Sequence, residues 1–158
     1  MVLVLTVLVG VFALAMIAML VWQGTGVSAA VVKALILSWF EVLTVAAIAI
    51  FFSSFSTPFL SGIFALAMWV IGRLAPDLEA AAKLTAAWIK TTTKIALEIV
   101  PDIHLFAVSG RSLDGSTVSV HGDFVPWSYV ALAAGHGLGW IIALVALAAF
   151  LFHRRDFV

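Results

Sequence analysis

The chain has 158 residues, 65% of them apolar and 10% charged, and its eight basic and eight acidic side chains cancel. A water-soluble domain carries about 25% charged residues, so this chain cannot clothe a soluble surface, and the balanced charge removes the electrostatic case for a nucleic-acid partner. With no cysteine, a disulfide scaffold, an iron–sulfur site and thiolate zinc are all excluded.

No charged side chain occurs from Met1 to Val32, and Val2 to Trp22 is almost wholly apolar. As a helix those 21 residues reach about 31 Å, close to the roughly 30 Å of bilayer hydrocarbon. A signal peptide is the competing reading. The run lacks a basic segment before it and exceeds the apolar core of such a peptide, which favours a span over 2–22. Gln23-Gly24-Thr25-Gly26 then reads as a turn. Between Glu41 and Arg73 lie 31 uncharged residues, too many for one untilted span. Pro58 lacks an N–H and biases Thr57 away from helix, so the run divides at Ser53-Ser54-Phe55-Ser56-Thr57-Pro58. Two helices follow, over 34–54 and 58–74, the second short for a span or else re-entrant.

The segment 75–126 is read as lying outside the bilayer. Over 77–99, Leu78, Ala81, Ala82, Thr85, Trp88, Ile89, Thr92, Ile95, Ala96 and Ile99 share one face, with Glu79, Lys83, Lys90, Lys94 and Glu98 opposite. This predicts an amphipathic helix, either in the membrane interface with Trp88 as anchor or packed as a lid across the spans. Asp114-Gly115 before Thr117-Val118-Ser119-Val120 reads as a small hairpin turn. His104 and His121 stand in this region with Asp102, Asp114 and Asp123. No tight ligand pair is present, so they are read as loop histidines and no metal site is expected. The last span, 127–152, contains one ionisable group, His136, and ends at His153-Arg154-Arg155-Asp156.

The expected fold is therefore an all-α integral membrane helical bundle with four transmembrane helices. An amphipathic interfacial helix occupies the long loop between the last two. An even number of crossings puts both termini on one side. Arg154 and Arg155 make that side cytoplasmic by the positive-inside rule, although Lys33 then falls outside.

Within the spans, Ser38, Glu41 and Thr44 recur at intervals of three and read as a polar stripe. Glu41 is the carboxylate of the interior, serving either a translocation surface or a bond to another helix. Gly135 and Gly139 flank His136 as a small-xxx-small pair that admits a second helix closely. Trp127, Tyr129 and Phe157 fall where interfacial aromatics are expected. No nucleotide-binding G-x-x-x-x-G-K-[ST] stretch, no G-x-S-x-G and no H-E-x-x-H occurs.

Phe51-Phe52-Ser53-Ser54-Phe55-Ser56-Thr57-Pro58, followed by Trp69-Val70-Ile71-Gly72, resembles the fourth and fifth spans of ABC-2-type ABC transporter permeases. Val100-Pro101-Asp102-Ile103-His104-Leu105-Phe106 resembles that family's outer-loop stretch, with Asp102 where asparagine is usual. Val120-His121-Gly122, Pro126-Trp127-Ser128-Tyr129 and the closing Leu151-Phe152-His153-Arg154-Arg155-Asp156-Phe157 are similar in style and order. The likeness covers the chain but only the last four of the family's six spans. It implies a bacterial inner-membrane permease subunit that dimerises with a second permease, with an N-terminal permease segment supplied elsewhere. A separate ABC ATPase subunit would bind ATP and Mg, this chain holding no cofactor. Ser38, Glu41, Thr44, Ser53, Ser54, Pro58, Gly135, His136 and Gly139 are then the candidate translocation or helix-interface residues. Two other readings stand beside it. One is a four-span structural or assembly protein without transport activity; the other is a membrane-embedded enzyme using His104, His121 or His136.

Overall fold

The computed structural model describes residues 2–24, 28–75, 77, 78, 80, 100–106 and 126–155. Among them the order is α1 (Val2–Trp22), α2 (Ala29–Ser53), α3 (Pro58–Arg73), a 3-10 turn (Ile103–Phe106) and α4 (Trp127–Arg155), with no strand. The described chain is all-helical, as its composition predicts. All but Asp77, Leu78 and Ala80 of the helix expected over 77–99 lies outside the described residues, as does the turn at Asp114-Gly115.

α1 has the expected bounds. Leu5, Val9, Ala13, Met16 and Leu20 recur at helical spacing and are half-buried, whereas Leu3, Leu8, Phe12 and Leu14 are exposed. A helix apolar on every side belongs in a core or a membrane. None of residues 3–22 is buried inside the protein, so a core is not what covers them. The helix closes through bonds from Gln23 N–H to the Met19 carbonyl (3.1 Å) and from Gly24 N–H to the Val21 carbonyl (3.0 Å). Gly24 takes φ +71°, a left-handed conformation that glycine adopts without strain.

α2 begins at Ala29, five residues ahead of the expected start at 34. The Ser28 carbonyl accepts from the N–H groups of Val31 (3.0 Å) and Val32 (3.4 Å), opening the helix there. Lys33 does not delay it, because the ammonium lies over the Trp127 ring, 5.2 Å from the centroid. Glu41 thereby becomes the thirteenth of 25 residues, the midpoint of α2.

α3 starts where Pro58 requires. Proline at the first helical position gives up an N–H that has no partner there and fixes φ appropriately. Thr57 is the N-cap, its Oγ1 accepting from Leu60 N–H at 3.5 Å. Ser61 Oγ donates to the Thr57 carbonyl at 2.9 Å. The bond to Thr57 Oγ1 is long, so Thr57→Ala is expected to cost about 0.5 kcal/mol, the low end of capping effects. Detergent unfolding of Thr57→Ala and Thr57→Ser checks this, with serine retaining the wild-type midpoint.

Three helices are long and apolar enough to cross a membrane: α1, α2 and α4 through His153. α3 is shorter. Its 16 residues reach about 24 Å, under the roughly 30 Å of a bilayer interior. α4 continues past the expected end at 152 to Arg155, since nothing in His153-Arg154-Arg155 breaks a helix.

The chain forms two compact units, Met1–Leu43 with Phe106–His136 and Thr44–Leu105 with Gly137–Val158. In the first, Leu37, Phe106, Val130 and Ala133 are buried; in the second, Ala47, Ile48, Ala65, Ile103, Leu144 and Ala148 are. α2 and α4 both start in the first unit and end in the second.

Candidate functional site

The polar residues of α2 do not share one face. Ser38 is exposed, Glu41 half-buried and Thr44 fully buried. Six residues at about 100° each set Ser38 and Thr44 roughly 120° apart, so the stripe read at intervals of three winds off the packed side. Glu41 and Thr44 remain toward it. A charge at the centre of a bilayer costs about 2.5–3.5 kcal/mol by insertion scales, and Glu41 is at the centre of a helix of membrane-crossing length. Its half-burial matches that cost.

The turn between α2 and α3 is held by its own backbone. Ser54 is completely buried, and its Oγ donates to the Phe51 carbonyl at 2.7 Å. Ser54 N–H also donates to that carbonyl at 3.1 Å. Ser53 and Pro58 are exposed. Around the turn Phe51, Phe52 and Phe55 meet edge to face at centroid distances of 5.3 to 5.7 Å, and Phe64 of α3 lies 5.1 Å from Phe52. The serines and aromatics here fix a reversal of direction.

α3 presents Ser61, Ala65 and Gly72 as its buried residues. At Gly72 a Cβ would stand 2.6 Å from the Pro101 carbonyl oxygen and 3.1 Å from Ile103 Cγ1. Pro101 and Ile103 are therefore packed onto the end of α3, and both are buried. Phe106, which belongs to the first unit, is buried as well. The sequence signal for this contact is the glycine at the helix end together with the apolar Ile103-His104-Leu105-Phe106 segment. Asp102 is half-buried, and its Oδ1 is enclosed with no hydrogen-bond partner among the described residues.

In the first unit, Trp39 Nε1–H donates to Thr6 Oγ1 at 3.3 Å, tying α1 to α2. The Lys33–Trp127 contact ties the start of α2 to the start of α4. Neither pairing was legible from local spacing. His136 is half-buried on α4, while Gly135 and Gly139 are exposed. A Cβ at either glycine meets nothing within 4 Å, so within the described residues no helix uses the close approach they permit.

His104 is half-buried and belongs to the second unit, His136 to the first. His121, Asp114 and Asp123 lie outside the described residues. Among those described, no group of three or more His, Asp or Glu side chains is placed to hold a metal.

These features define a helical protein with three helices of membrane-crossing length and a surface rich in exposed Leu, Val, Ile and Phe. Exposed apolar area on that scale is covered by lipid or by protein. No family model, no curated protein and no solved structure matches the chain.

Proposed function

We propose that this chain is the permease subunit, or the C-terminal part of one, of an ABC exporter of ABC-2 type. It would reside in the bacterial cytoplasmic membrane with four spans and an interfacial helix over 77–99. ATP and Mg would be handled by a separate ATPase subunit, and a second permease chain and an N-terminal permease segment would complete the pathway. The observation carrying this reading is the Gly72–Pro101 contact. It joins two of the stretches that resemble the family, Trp69-Val70-Ile71-Gly72 and Val100-Pro101-Asp102-Ile103-His104-Leu105-Phe106.

The fourth crossing would be α3, the apolar helix that follows α2 across the turn at Ser54–Thr57. Its shortfall of about 6 Å against a bilayer is met by local thinning or by the chain that follows it. With Arg154 and Arg155 cytoplasmic, the turn at Ser54–Thr57 also faces the cytoplasm. Lys33, over Trp127, lies at the outer boundary.

Purification of the chain from its native membrane in mild detergent tests the reading. An ABC ATPase is expected to co-purify, with ATP hydrolysis by the complex. Recovery only with partners that lack an ATPase contradicts it. In the same system Glu41→Ala is expected to insert normally while lowering transport or helix association several-fold, the effect of losing one intramembrane polar contact. Equal assembly and equal transport remove Glu41 from the mechanism.

A further inference from the structure

A lysine, two tryptophans and two serines gather at the end of the first unit where α2 and α4 begin. Lys33 stands four residues after the start of α2, and Trp127 is the first residue of α4. The Lys33 ammonium lies over the Trp127 ring, 5.2 Å from its centroid. A helical side chain leans toward the helix N-terminus, so the aliphatic stem of Lys33 runs from its own turn toward that start. Six residues join α1 to α2, a reach of about 25 Å at full extension. That is less than a bilayer interior, so Trp22, the last residue of α1, belongs to the same end.

Span length puts that end in the headgroup layer. α2 has 25 residues and the crossing part of α4 has 27, about 37 and 40 Å of helix against roughly 30 Å of hydrocarbon. Shared between two ends, the surplus is nearly one helical turn at each, and it reaches the level of lipid phosphates. Trp22 is 92% exposed and Trp127 55%, as suits indoles at a membrane–water boundary. Ser28 and Ser128 are exposed at the same helix starts. Among the unit's described residues the charged side chains are Lys33 and Glu41. Glu41 lies eight residues further along α2, about 12 Å deeper. The charge that the described end presents is therefore positive.

We propose that Lys33 and Trp127 form a binding site for the headgroup phosphate of an anionic phospholipid, in the leaflet at which α2 and α4 begin. The proposal rests on α2 and α4 being spans, and not on the exporter reading. An ammonium carries three N–H donors, so an aromatic ring does not saturate it. The ring holds the ammonium by its π face, which reduces the side-chain freedom lost when a phosphate oxygen is met. The exposed hydroxyls of Ser28 and Ser128 add neutral donors, and the indoles of Trp22 and Trp127 offer apolar surface to the upper acyl carbons. A zwitterionic headgroup brings its own cation beside the phosphate and so gains less from Lys33. Asp123, three residues before Pro126, is the carboxylate nearest Trp127 in sequence and the competitor to be tested.

Native mass spectrometry of the purified chain in detergent counts bound lipid and tests this. Phosphatidylglycerol is expected to bind about fivefold more tightly than phosphatidylcholine with the same acyl chains, the effect of one basic residue near anionic lipid. Lys33→Gln is expected to remove that preference and Lys33→Arg to keep it. Equal binding of the two lipids by the wild type overturns the proposal, and so does a preference that survives Lys33→Gln. A preference that emerges only in Asp123→Asn shows Lys33 neutralised within the protein and also overturns it. Excess inorganic phosphate is expected to leave the bound phosphatidylglycerol in place; its displacement would mark a site for free anions and not for lipid. Should Lys33→Gln fail to fold, phosphatidylglycerol with a photoreactive headgroup decides on the wild-type chain. Labelling within 28–33 or 127–129 supports the site, and labelling confined to other segments overturns it. None of these readouts involves an ATPase, so they fail or succeed separately from the exporter assignment.

Discussion

Replacing Gly72 by alanine is expected to destabilise the protein, whereas the same change at Gly62 on the same helix is expected to stabilise it. At Gly72 the added Cβ would meet the Pro101 carbonyl oxygen at 2.6 Å and Ile103 side-chain carbons at 3.1 and 3.2 Å. The first partner is backbone and cannot rotate away. The end of α3 or the Pro101–Phe106 stretch must shift, which costs about 1–3 kcal/mol by analogy with overpacked cores. At Gly62 nothing lies within 4 Å, so the gain in helix propensity, up to about 1 kcal/mol, is not opposed. Detergent unfolding of the two variants measures the difference directly. Two alanines with the same sign of effect would mean that the close approach at Gly72 does not exist.

Truncating Phe106 to alanine is expected to be the most damaging single deletion in the described core. Phe106 is the largest fully buried side chain, at 2% exposure, and it ends the 3-10 turn that Ile103 begins. Removing a buried aromatic ring from a soluble core costs about 3–5 kcal/mol. Phe106 lies in the segment read as outside the bilayer, so that value applies without reduction, and a lowered unfolding midpoint is the expected readout. Phe59→Ala is the control, since Phe59 is 81% exposed. It should leave the midpoint near wild type. Equal losses in the two variants would contradict the burial of the Pro101–Phe106 stretch.

The helices were legible because their signals are local. The apolar run ended by Gln23-Gly24 gives α1 its bounds, and the Thr57-Pro58 pair gives α3 its start. The start of α2 was misplaced because Lys33 reads as a boundary when its aliphatic stem and the Trp127 ring are not in view. A cation can sit inside a helix when its charge reaches outward onto an aromatic face. The candidate site was legible only as single residues. Ser38 has the right spacing to join Glu41, but the helix turns it to the exposed side. Gly135 and Gly139 have the spacing of a packing motif, and no described atom approaches them. The contacts that organise the interior, Gly72 with Pro101 and Lys33 with Trp127, join residues far apart in sequence. Periodicity carries no information at that range.

Single cysteines introduced into this cysteine-free chain test most directly whether lipid covers it. Phe12 of α1, Leu66 of α3 and Ile142 of α4 are 68%, 61% and 66% exposed, so each is open to whatever surrounds the protein. In membranes, cysteines at these three positions are expected to resist a membrane-impermeant thiol reagent, while cysteines at Gln23 and Ser28 react from whichever side the reagent is supplied to that face. Rapid labelling of all five in intact and in opened vesicles would show that water, not lipid, meets α1, α3 and α4, and would contradict the account.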